Sequence, residues 1–215
     1  MTQASERAQQ ELSAKHDARE TGLRISREVI RLSANAIRAV HRHDLDEAAS
    51  LISRASQQLE EADVIRGRSP DIYYSGFLAD ARKEYAEANI TLALISGNPI
   101  PQAEDLGVEM ASYLNGMGEV IGELRRYVLD SLRRNETERC EELMQVMDDI
   151  YSLLVTVDFP EGVTGGLRRT TDAMRGVLER TRGDLTMTLR QLELEKLLAG
   201  WQERLASGPN YLDTP

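Results

Sequence analysis

Apolar residues recur along this chain at intervals of three and four. Ile25, Val29, Leu32, Ala36 and Val40 form the first stripe, and such spacing lines one face of a helix. His41-Arg42-His43 breaks it, and Asp44 with Glu47 has the spacing of a capping box. A second helix to about Val64 turns Leu45, Ala48, Leu51, Ile52, Ala55 and Leu59 inward. Ser69 caps a third, with Pro70 at its first position, and Phe77, Ala81, Tyr85, Ala88, Leu92 and Ile95 form its stripe up to Gly97-Asn98-Pro99. The fourth is expected from near Gln102 to about Arg134, through Leu106, Met110, Met117, Leu124 and Val128. Asn135 or Thr137 caps a fifth, carrying Leu143, Val146, Met147, Ile150 and Leu154 and ending at Phe159-Pro160. The sixth runs from about Gly165 to Leu198, and Trp201 and Leu205 are expected to dock a short final helix.

Six to seven long helices with short connections predict an all-α antiparallel bundle. Composition agrees, since the helix formers Ala, Leu, Glu, Arg and Gln dominate. The domain reading is one unit over 21–205, a flexible polar lead-in over 1–20 and a loose tail over 206–215. There is no internal repeat and no heptad run long enough for a free coiled coil.

Net charge is −10, an average that opposes nucleic-acid binding unless cations are gathered locally. Lys15, Lys83 and Lys196 are the only lysines among 26 basic residues. Arginine is the better bidentate phosphate ligand, although genome composition or a salt-rich, halophile-like host explains the same excess. Cys140 is the single cysteine, so neither a disulfide nor a cysteine-based zinc site forms within one chain. Its charged flanks mark it as an ordinary helical thiol. The polar N-terminus carries no signal region, and no apolar stretch approaches the roughly 20 residues that span a bilayer. The expected location is the cytoplasm.

Four glutamates stand out. Glu84 and Glu87 lie in the third helix, Glu119 and Glu123 in the fourth. Spacings of three and four place each pair on one helical face, and Asp80 shares the arc of the first pair. Both arcs border apolar stripes, so the carboxylates are partly desolvated, which is where coordination or proton transfer becomes feasible. Two such pairs facing each other make a pocket of up to four carboxylates, whose repulsion calls for a proton or a cation. Oxygen ligands without nearby histidine or cysteine favour Mg²⁺ or Mn²⁺. The same spacing is also common on solvated faces, where Arg82, Lys83, Arg125 and Arg126 are at hand to pair with the acids. Gly116, Gly118 and Gly122 fall within the fourth helix and are read as sites of close helix packing.

Several chemistries are excluded. A di-iron bundle requires Glu-x-x-His on two helices, and none of His16, His41 and His43 follows a Glu by three residues. There is no phosphate loop and no dinucleotide fingerprint, and little from which to build a Ser-His-Asp hydrolase. His41 and His43 are read as turn or cap residues.

Ser75-Gly-Phe-Leu…Glu84-Tyr-Ala-Glu87-Ala and Tyr113-Leu-x-Gly-x-x-Glu119-x-x-Gly-Glu123-Leu-x-Arg126 together resemble the translin family, specifically its translin-associated factor X branch. Ile25-Ser-Arg-Glu-Val-Ile also looks like that family's first long helix, and the resemblance spans about residues 22–200. It implies a seven-helix bundle that closes into a barrel-like oligomer around RNA or single-stranded DNA. In the factor X branch it implies a metal-dependent endoribonuclease. By motif, Glu84 and Glu87 match that branch's glutamate pair and Glu123 its nearby Glu, whereas Glu119 stands where the eukaryotic enzyme has Asp. Basic stretches that serve translin are not matched, since Ser75, Phe77, Ala79 and Ala81 occupy that part of the third helix. A single acidic chain of this kind suggests an archaeal, self-assembling version, a hexamer or an octamer.

Nucleic acid has a candidate track. Arg24, Arg31, Arg38 and Arg42 share a band of about 40° on the first helix over about 27 Å, with Arg27 beside it. A row of guanidiniums can follow a phosphate backbone, and a solvated face paired with Glu20 and Glu28 is the plainer reading. The expected activity is Mg²⁺- or Mn²⁺-dependent cleavage of single-stranded RNA. Glu84, Glu87 and Glu119 hold the ion, Glu123 is a fourth ligand or a base, and Arg126 steadies phosphate or neutralises Glu123. The rivals are a non-catalytic oligomer binding single-stranded RNA or DNA, and an all-α nucleotide pyrophosphohydrolase. Gly122 interrupts the second Glu-x-x-Asp element that the latter requires.

Overall fold

The structure, a computed structural model, describes residues 2–206, so the tail expected beyond them lies outside the described residues. Among these, nine helices and no strands are found. The six long ones are α1 (Thr2–His41), α2 (Leu45–Arg68), α4 (Gly76–Ser96), α6 (Met110–Arg133), α7 (Cys140–Val155) and α9 (Leu167–Ala206). Single turns α3 (Pro70–Tyr73), α5 (Ala103–Leu106) and α8 (Glu161–Thr164) lie between them. The bundle is all-α, as the periodicity indicates. Among the described residues, no helix is long and apolar enough to cross a membrane.

Helix α1 packs against α2 and α4, α4 against α6, and α6 against α7 and α9. The α4–α6 pair is therefore the middle of the bundle. Ile25, Val29, Leu32, Leu78, Ile90, Ile121, Leu124, Leu143, Met147, Leu154 and Leu167 are its most deeply buried large side chains. Fully burying an aliphatic side chain of this size contributes about 1.5–3 kcal/mol, and these side chains come from α1, α4, α6, α7 and α9.

Two expected helices are divided. The Ser75 hydroxyl donates to Ile72 O at 2.6 Å, and its extended backbone (φ −71°, ψ 155°) ends α3 and opens α4. Gly107, with φ +63°, closes α5 before α6 begins, a left-handed conformation that glycine adopts without steric cost. The cap of α7 is Arg139 rather than Asn135 or Thr137. Asn135 instead takes φ +58° in the preceding turn. Cys140 is buried, unlike its charged neighbours. At the start of α2, Asp44 caps as expected and accepts from Glu47 N at 3.3 Å.

Both the first and the last described helices extend beyond the packed core. Residues 3–17 continue α1 as an exposed helix, with Lys15 and Asp71 paired at 2.7 Å. Among the described residues, no separate final helix docks. Trp201 is 64 % and Leu205 84 % exposed, because α9 runs through Gly200 as one helix and carries them past the packed core.

Candidate metal centre

The site begins with a missing side chain. A Cβ at Gly116 would stand 2.6 Å from Lys83 O and 3.0 Å from Glu87 N. Only glycine permits α6 to approach the α4 backbone that closely. Glu119 lies three residues beyond Gly116, one helical turn along the same face. It thereby reaches Glu84 and Glu87, and one oxygen from each of the three carboxylates lies within 4.8 Å of the others. Gly118 makes a second close approach, to Thr170 of α9, where a Cβ would meet Cγ2 at 2.7 Å. Gly122 has nothing within 4 Å, so close packing accounts for two of the three glycines.

Burial grades the cluster. Glu87 is 7 % exposed, while Glu84 and Glu119 are partly open. Desolvation, with the charges of Glu119, Glu84 and Glu123, pushes the Glu87 carboxyl up to about 9. Burial also raises Glu84, with Lys83 opposing and Glu119 reinforcing. Without an added cation the protein answers the repulsion by keeping Glu87 protonated. It also supplies a cation of its own, since Lys83 Nζ is 2.7 Å from Glu119 Oε1 and 3.4 Å from Glu84 Oε1. Burial works against the ammonium, but Glu119 and Glu84 more than offset this and hold it above its ordinary value. Three carboxylates converging from two helices, one of them buried, match the donor set of a hard divalent cation.

Glu123 stands apart from this triad. Its Oε2 is 2.5 Å from Nε2 of His41, whose side chain is only 3 % exposed. His41 is therefore not a turn residue. It ends α1 and reaches across to α6, whereas His43 does sit in the turn, at φ +61°. Arg126 does not neutralise Glu123, because its nearest acid is Asp130, at 4.0 Å. Asp80 is exposed and outside the cluster.

The arginine row is divided between separate surroundings. Arg24, Arg27 and Arg31 line a groove between α1 and α2 of about 570 Å³, joined there by Arg54, Gln57 and Gln58 of α2. Arg24 bonds Gln58 and Glu61, each at 3.2 Å, and Arg31 bonds Glu28 at 2.6 Å. Arg38 bonds Asn35 at 2.7 Å and lies outside this groove, as do Arg42 and Arg126. Periodicity on α1 alone could not reveal Arg54, although Arg54, Gln57 and Gln58 share a polar face of α2 at intervals of three and four. His41 likewise escapes a reading of spacing, because it acts across a helix–helix contact, whereas Lys83, expected as a possible partner of the acids, does pair with Glu84 and Glu119. A larger cavity of about 930 Å³, lined by Tyr151, Phe159, Arg168 and Asp172 among others, contains none of the four glutamates.

No model of a known protein family matches the chain. The protein MJ0175 of Methanocaldococcus jannaschii is 31 % identical over 189 residues, 87 % of this chain and 83 % of that one. Among solved structures, the Archaeoglobus protein AfC3PO superposes with a TM-score of 0.81 at 32 % identity in its duplex RNA complex. That match covers 87 % of this chain and 97 % of the other. AfC3PO alone gives 0.80 at 32 % identity, covering 87 % and 98 %. The Nematostella protein apo-NeC3PO shares the fold, with a TM-score of 0.71 at 22 % identity over 87 % and 96 % of the two chains. With the bundle, the acidic seam of α4 and α6 and these likenesses together, the chain belongs to the translin family.

Proposed function

We propose that this protein is an RNA-binding oligomer of the factor X-like branch that cleaves single-stranded RNA with Mg²⁺ or Mn²⁺. The observation that carries this reading is the convergence of Glu84, Glu87 and Glu119 from two helices to within 4.8 Å. The solved complex of AfC3PO with duplex RNA supports RNA as the ligand class. The groove of Arg24, Arg27, Arg31 and Arg54 supports a local cationic surface on an acidic protein, which sequence-independent phosphate contacts require.

Glu84, Glu87 and Glu119 would hold the divalent ion. Bound there, the ion supplies positive charge to the scissile phosphate and to the attacking water. Glu123, which shares a hydrogen bond with His41, would take the proton of that water. Closure of several copies into a hexamer or octamer would turn arginines toward an enclosed strand.

Incubation of single-stranded RNA with the protein, with and without EDTA, tests the reading. Cleavage should require the divalent ion and should be lost in Glu84→Ala, with RNA binding and assembly retained. Equal cleavage by mutant and wild type refutes the assignment. A second reading, binding without cleavage, is favoured by the bond between Lys83 and Glu119, which already compensates the acids. Retained binding with no cleavage under any divalent ion would select it.

A further inference from the structure

We propose that Lys83 is a tethered counter-cation that holds the carboxylate cluster together until a divalent ion arrives, and that ion binding frees its ammonium for substrate phosphate. The proposal rests on the reading that Glu84, Glu87 and Glu119 hold such an ion.

Position is the first argument. Lys83 Nζ contacts Glu119 on α6 and Glu84 on its own helix, so the ammonium sits on the oxygens of two prospective ligands. An ammonium and a divalent ion on the same carboxylates would be like charges a few ångströms apart competing for the same oxygens, which favours withdrawal of the ammonium. The second argument is mobility. The Lys83 carbonyl is pinned against Gly116, so the backbone cannot retreat. The side chain is 22 % exposed, and its four-carbon stem has a path toward solvent.

Residue choice is the third argument. All but three of the basic residues in this chain are arginines. Lys15 is about half exposed and Lys196 is exposed, so Lys83 is the one lysine held partly buried among acids. A guanidinium would clamp a carboxylate through two parallel bonds, whereas an ammonium is a point charge that exchanges partners readily. A releasable cation calls for lysine at this place. Once freed at the mouth of the cluster, it faces the place where a phosphate would meet the ion.

Calorimetric titration of Mn²⁺ into wild type, Lys83→Met, Lys83→Gln and Glu87→Gln tests this, with thermal midpoints recorded before and after. Lys83→Met and Lys83→Gln should bind Mn²⁺ about tenfold more tightly than wild type. Metal-free, both should melt lower than wild type, and both should gain more from Mn²⁺. Binding of a single-stranded oligonucleotide in Ca²⁺ should be weaker in both variants, whereas in EDTA they should match wild type. Unchanged or weaker Mn²⁺ binding in both Lys83 variants, with binding lost in Glu87→Gln, overturns the role of Lys83 and leaves the metal site standing. Absence of Mn²⁺ binding in every protein overturns both.

Discussion

Nε2 of His41 lies 2.5 Å from Oε2 of Glu123, joining the last turn of α1 to the middle of α6. The imidazole is enclosed, and its Nδ1 has no hydrogen-bond partner, so the bond to Glu123 is its one polar anchor among the described residues. Replacing His41 by Ala should cost about 1–3 kcal/mol, the usual range when a buried polar partner is removed. Urea denaturation monitored by circular dichroism measures it. If Glu123 is the base, the same change lowers kcat more than it alters RNA affinity, and His41→Gln restores part of the rate.

Glu87 ties stability to pH. Its folded carboxyl is raised from an ordinary 4.5 to about 9, so between these values the folded state holds a proton that the unfolded state has lost. Stability from this group is present in full below about pH 4.5 and is lost as pH rises toward 9. In EDTA, the melting temperature should therefore fall from pH 5 to pH 9. Glu87→Gln should flatten that slope and melt higher than wild type at pH 8. Scanning calorimetry across this range checks both expectations.

Gly116 and Gly122 make a matched pair. Gly116→Ala drives a Cβ into the α4 backbone at 2.6 Å, where nothing flexible can yield. It should destabilise the fold by about 1–3 kcal/mol and, by separating Glu84 and Glu87 from Glu119, weaken Mn²⁺ binding. Gly122→Ala meets nothing within 4 Å, so it should stabilise α6 by about 0.5–1 kcal/mol. Thermal melts with and without Mn²⁺ distinguish the two.

The groove between α1 and α2 predicts salt-dependent RNA affinity. Arg54→Ala combined with Arg27→Ala should weaken binding across unrelated sequences and reduce the dependence on log salt by about one to two units. Arg126→Ala should change neither. Fluorescence anisotropy over a range of KCl concentrations decides it, and an unchanged slope in the double variant would remove the groove from the interface.

The helical class, the six long helices and the pairing of Glu84 with Glu87 were legible in the sequence because helix periodicity is local. Each is set by residues within a few turns of one another. The breaks at Ser75 and Gly107 were not, since a single residue in an extended or left-handed conformation interrupts a stripe without disturbing its spacing. Met110 shows the limit from the other side. It continues the apolar pattern of the fourth stripe, yet is 51 % exposed because α6 begins there.

By itself, then, the sequence determined which residues share a helical face, and that one face of α4 and one of α6 are acidic. Only the tertiary structure decided that these faces meet. The meeting turns on the absence of a side chain at Gly116, which sets how closely two helices approach. Tertiary packing also made Lys83 the partner of Glu119, His41 the partner of Glu123, and Arg54 a neighbour of the α1 arginines. These are contacts between residues far apart in the chain. Their geometry follows from the direction in which each helix packs, which no local spacing encodes.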